Sequence, residues 1–154
     1  MAILTAAQLR AGVQVSSVEV KEKLVVLKVS DNKYVTANSP SYALDLTGTK
    51  IGSKQRFTII DLNGGDLVDG DEVKIRYTPN VGGKPDPSKA SYWREVSEGV
   101  KRGPEAATFK LKKVGTKYVL QTSNGKFVGS PIEGGFLAVT DKQEDALLVE
   151  IVDQ

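Results

Sequence analysis

Four groups of side chains in this 154-residue chain have the types and spacing to hold a ligand. Asp31, Asn32, Asn38, Tyr42 and Asp45 gather within one short stretch. Planar amides and carboxylates beside an aromatic ring are the groups that hydrogen-bond to a sugar and stack on it. Turn chemistry alone also calls for Asp and Asn at such places. Trp93, the single tryptophan, is followed by Arg94 and Glu95. Strand alternation aims it away from the face on which Tyr92 packs, where an indole suits sugar stacking or a protein hot spot. Asn124 occupies the turn of a third such stretch. The last group, Pro79, Asn80, Lys84, Asp86 and Lys89, lies in TPNVGGKPDPSKA, residues 78–90. Pro79, Pro85 and Pro87 limit the conformations that this loop loses on binding, which lowers the ordering cost of an interface. A tolerated surface insertion reads the same way.

Other chemistries find little support. The chain has no histidine and no cysteine, so the commonest general base, the thiol nucleophile and the favoured zinc ligands are all missing. Asp66, Asp69, Asp71 and Glu72 lie close together, but LVDGDE lacks the register of a calcium loop. SPIEGG at 130–135 has no strand-to-helix context for phosphate. No catalytic residue, metal site or cofactor is expected. Lys and Arg total 21 against 19 Asp and Glu, a net charge of +2, with the signs interleaved along the chain. The basic stretch FKLKKVGTK alternates with apolar residues as one solvated strand face does, so no nucleic-acid partner is expected. No apolar run reaches the ~18 residues of a membrane span, and the N-terminus does not read as a signal peptide. The expectation is a cytoplasmic protein, monomeric or weakly homodimeric, with a carbohydrate or protein ligand.

The elements that would position these groups are short strands. YVLQTSNGKFVG, residues 118–129, places Asn124-Gly125 between alternating apolar residues, a strong hairpin signal. VVLKVSDNKYVT, residues 25–36, repeats it at a constant offset, since 120 − 27 and 127 − 34 both give 93. FTIID at 57–61 and VEIVD at 149–153 close the first and third units. In the second unit LVDGDEVKIRYT opens, the 78–90 loop interrupts, and SYWREV follows, with Tyr92 standing where Tyr34 and Phe127 stand. Strands are expected at 24–29, 33–37, 43–46 and 56–62 in the first unit, and a short helix at 5–11 precedes an extended lead-in at Val13, Val15 and Val18. The apolar positions Leu27, Tyr34, Leu44, Phe57, Ile59, Ile75, Phe109, Leu111, Leu120, Phe127, Leu137 and Ile151 form the expected core.

Three four-stranded units, roughly 18–64, 65–115 and 116–154, predict one all-β domain with pseudo-threefold symmetry. The economical architecture is a β-trefoil with a short N-terminal extension. In it the first and fourth strands of each unit close a six-stranded barrel, and the second and third form hairpins that cap it. The segments DNKYVTAN at 31–38 and NGKFVGS at 124–130, with FTIID and VEIVD, resemble the repeating signature of fascin-like β-trefoils. The chain departs from ricin-B-type lectins, because its tryptophan sits in YWR and not in a Gln-x-Trp motif. It also lacks the histidines of hisactophilin-like proteins. The resemblance implies a non-catalytic binding protein, with lectin-like carbohydrate binding through surface loops as the first reading. The alternatives are a protein-interaction module of two kinds: a protease inhibitor acting through loop 78–90, as in Kunitz-type inhibitors, or a fascin-like actin-binding domain.

Overall fold

A computed structural model of the chain describes residues 20–38 and 42–154. The expected helix at 5–11 and the lead-in at Val13, Val15 and Val18 lie outside the described residues. Fourteen strands follow one another with no α-helix among the described residues. The first four are β1 (Lys21–Ser30), β2 (Lys33–Asn38), β3 (Ala43–Gly48) and β4 (Arg56–Asp61). The middle of the chain supplies β5 (Glu72–Tyr77), β6 (Asn80–Val81), β7 (Lys84–Pro85), β8 (Ser91–Val96), β9 (Gly99–Gly103) and β10 (Phe109–Val114). The last four are β11 (Lys117–Gln121), β12 (Phe127–Ile132), β13 (Phe136–Thr140) and β14 (Glu150–Asp153). No helix of the described residues is long and apolar enough to cross a membrane.

The hydrogen bonding corrects the β-trefoil of three four-stranded repeats. Antiparallel ladders run β5–β8–β9–β13–β12–β11–β10, and the pairs Phe109↔Val73 and Lys110↔Glu72 return β10 to β5. Seven strands thus close a barrel, and β4, β1, β2 and β3 extend from β5, with β14 paired to β1. Strands β1–β4 lie outside the ring, the middle third of the chain holds six strands, and Tyr118 of β11 meets Val149, just ahead of β14, in a single bridge. Equal offsets between similar residues report which side chains recur. Which backbone edges pair is decided by register, and here β9 offers its edge to β13 through Leu137↔Val100. Gly99 permits that approach, since it holds φ at 151° and a Cβ there would collide with the Leu137 carbonyl.

The core follows from period-two alternation. β4 buries Phe57, Ile59 and Asp61 and turns Arg56, Thr58 and Ile60 outward; β5 likewise buries Val73, Ile75 and Tyr77. Of the expected core, all but the half-buried Ile151 are buried. Tyr92 and Trp93 are reversed relative to expectation. The pairs Arg76↔Tyr92 and Tyr77↔Ser91 put Ser91, and with it Trp93, on the inner face. Trp93 is therefore 1% exposed, while Tyr92 is half-buried on the outside. The indole stands edge-on to Phe57 at 5.4 Å and to Phe109 at 6.4 Å between ring centroids.

Strand β4 also carries a carboxylate inward. Asp61 is 1% exposed; its Oδ1 accepts a hydrogen bond from the Asn63 N–H at 2.9 Å, and its Oδ2 has no partner among the described residues. Asp71 is buried as well and accepts from the Val68 N–H at 3.0 Å. Burial pushes the Asp61 carboxyl above the ordinary carboxylate value, and the charge of Asp71 adds to the rise against the Asn63 hydrogen bond. A folded-state value raised in this way contributes stability that is present below the ordinary carboxylate value and is lost as pH rises through the elevated one. Asp61→Asn keeps the acceptor for Asn63 and removes the charge. It is expected to raise stability at pH 7 and to abolish part of the loss as pH rises above the ordinary carboxylate value. Urea unfolding of both proteins across that rise in pH measures this; a variant less stable than wild type at pH 7 would contradict it.

Candidate functional site

Register across four strands builds a surface that no local stretch encodes. Leu24 of β1 pairs with Thr58 of β4, Thr58 with Arg76 of β5, and Arg76 with Tyr92 of β8. All four point outward, so they form one row across the sheet, with Arg56 two residues from Thr58 on the same face. Loop 78–90 folds back over this row. It is more regular than its composition predicts: β6 and β7 form a small hairpin, paired through Asn80↔Pro85 and Val81↔Lys84. Gly82 and Gly83 both take positive φ, 62° and 83°, as a tight hairpin turn requires. Asp86 then caps a 3₁₀ turn over Pro87–Lys89, accepting from the Ser88 N–H at 3.1 Å and the Ser88 hydroxyl at 2.6 Å. The Asp86 N–H donates to the Pro79 carbonyl at 2.8 Å, which pins the two ends of the loop together.

Between the row and the loop lies a groove of about 660 Å³. Its floor is Leu24, Arg56, Thr58, Arg76 and Tyr92; Thr78, Asn80, Pro85, Pro87 and Ala90 supply the loop wall, and Ser53 closes one end. The volume is within the usual range for small-molecule sites. No carboxylate lines it. Arg76 makes a two-pronged contact to Glu22 at 2.9 and 3.3 Å, which holds the Glu22 carboxyl below its ordinary value and raises Arg76 further. Arg56 is half-buried and makes no ion pair among the described residues.

The residues expected to gather around a sugar do not line this groove. Asp31 and Asn32 are exposed on the β1–β2 turn, where Asp31 meets Lys28 at 3.8 Å. Asn38 hydrogen-bonds Asp45. Arg94 lies 4.0 Å from Glu105, and the exposed Asn124 donates to Glu95 at 3.0 Å. The stacking platform is the plainest correction, because a tryptophan that is 1% exposed presents no face to a ligand. Of the loop residues, Asn80 lines the groove, Pro79 and Asp86 hold the loop's shape, and Lys84 and Lys89 are exposed on its outside. Nor does the loop stand out as a free protrusion of the kind that enters a protease cleft; its inner side faces the barrel across the groove.

Tyr42 was expected among the ligand groups and belongs instead to a second cluster, organised by Arg102. That arginine is 5% exposed on β9, a strand that GVKRG, with one large apolar residue, does not announce. Its guanidinium donates to the Ser91 hydroxyl at 2.9 Å, to the Ala43 carbonyl at 3.3 Å and to the Asn38 carbonyl. It lies 4.8 Å from the Tyr77 ring centroid and 5.6 Å from that of Tyr42. Tyr42 takes a left-handed φ of 58°, and its carbonyl accepts from the Arg102 N–H at 3.0 Å. Burial lowers the Arg102 pKa, opposed by the two tyrosines, and no carboxylate among the described residues pairs with it. This cluster ties the end of β2 and the start of β3 to the barrel.

Among the described residues no three His, Cys, Asp or Glu side chains come together as metal ligands. No protein-family model matches the chain, and comparison with curated proteins returns no match.

Proposed function

We propose that the protein is a non-catalytic binding module whose ligand enters the groove beneath loop 78–90. One observation carries this reading. The insertion that breaks the regular strand pattern packs over an outward row of mixed apolar and cationic side chains, leaving a cavity of about 660 Å³. Asp86 and Pro79 hold the loop in shape while it stands off from Tyr92 and Arg76. Proline and a closed hairpin keep the wall in place before binding, so little ordering cost falls on the complex. The reading keeps the protein a cytoplasmic monomer or weak homodimer. A mixed fragment library screened against ¹⁵N-labelled protein tests it. Binders are expected to shift resonances of Leu24, Thr58, Arg76, Tyr92 and the loop together; shifts confined to the turns at Asn32 and Asn124 would count against it.

A further inference from the structure

We infer that the groove is a site for small monocarboxylic acids with an apolar body, an inference that rests on the binding role assigned to the groove above. Charge decides the head group. Two arginines line the cavity and one of them, Arg76, is already engaged in both prongs by Glu22. Among the described residues the two cations less that one carboxylate leave a single uncompensated positive charge, carried by Arg56. A planar guanidinium matches a carboxylate in two parallel hydrogen bonds, and partial burial strengthens the pair relative to water. A doubly charged phosphate would leave one negative charge unanswered against an apolar wall. Ser53 and Thr58 stand in the same cavity with hydroxyls that can donate to the second lone pairs of the acid.

The rest of the lining selects the body. Leu24, 48% exposed along the row, lines the cavity together with Pro85 and Pro87, and Tyr92 adds an aromatic ring. Covering these surfaces with an alkyl or aryl group removes apolar area from water. The volume suits a molecule of drug size rather than a folded partner.

Titration calorimetry and amide shift mapping with 4-phenylbutanoate, 4-phenylbutan-1-ol and 3-phenylpropyl phosphate test the assignment. The acid is expected to bind in the groove at least tenfold more tightly than the alcohol and more tightly than the phosphate. Arg56→Gln should weaken the acid at least tenfold and leave the alcohol unchanged, while Arg56→Lys restores part of the loss; thermal unfolding confirms that each variant is folded. Equal binding of acid and alcohol in the groove would overturn the carboxylate assignment and leave the groove as a binding site. Tighter binding of the phosphate would overturn the charge argument. Preferential binding of a blocked tripeptide with a free C-terminal phenylalanine would transfer the site to chain ends and overturn the small-molecule assignment. Absence of groove shifts with all these probes would overturn the inference, and the mixed library then decides separately whether the groove binds anything.

Discussion

Truncating Trp93 to alanine is expected to lower the unfolding free energy by about 3–5 kcal/mol in denaturant titrations. The indole is among the largest fully buried side chains and sits where β4, β8 and β10 face one another through Phe57, Trp93 and Phe109. Its ring planes stand at 89° and 87° to those neighbours, the edge-to-face arrangement that adds to plain area burial. Its Nε1–H has no acceptor among the described residues. Trp93→Phe therefore loses volume without orphaning a partner, and its expected cost is far smaller, about 1 kcal/mol. Because Trp93 is the single tryptophan, the same burial is visible in fluorescence: emission should be blue-shifted, resist iodide quenching and ignore added sugars. An alanine variant within 1 kcal/mol of wild type, or strong iodide quenching, would return the indole to the surface.

Arg102→Ala should cost a similar amount, about 3–5 kcal/mol, by a different route. The guanidinium holds two backbone carbonyls, at the end of β2 and the start of β3, and one hydroxyl. Removing it strands those acceptors and opens a cavity against Tyr77. Arg102→Lys keeps the charge but loses the fork that reaches Ser91, Ala43 and Asn38 at once, so it should recover only part of the loss. Without the guanidinium over its ring and on the flanking Asn38 and Ala43 carbonyls, Tyr42 keeps only the backbone N–H of residue 102 to hold its positive φ. Hydrogen exchange at Ala43 and Leu44 is therefore expected to accelerate in both variants while exchange at Phe57 and Ile59 follows only the change in global stability. Equal protection at all four positions would contradict the local role of the arginine.

Much of the molecule is legible in its sequence because a half-buried strand writes its inner face at every second residue. FTIID and VKIRY report their buried positions without help from the rest of the chain. The failures share one cause. Tyr92 and Trp93 are adjacent, and aligning Tyr92 with Tyr34 and Phe127 by type chose the wrong parity. The register of β8 against Tyr77 on β5, reached only after thirteen intervening residues, sets the right one. β9 escapes because a glycine, a lysine, an arginine and a second glycine carry no strand pattern, and with it Arg102 escapes as well. The β-trefoil expectation fails on the same ground: recurrence of side chains does not specify which edges pair. For the site, the wall was visible in Asn80 and the prolines of loop 78–90. The floor was not, because Leu24, Thr58, Arg76 and Tyr92 become neighbours only when four strands align.

The groove stands or falls with its wall. Replacing residues 79–89 by an Asn-Gly turn joins β5 to β8 directly and removes Asn80, Pro85 and Pro87 while leaving the row beneath. Affinities of the fragments that bind wild type, measured by calorimetry on the replaced protein at unchanged thermal stability, are predicted to fall at least tenfold. Unchanged affinity in a folded, loop-replaced protein would show that the insertion is not what makes this a binding module.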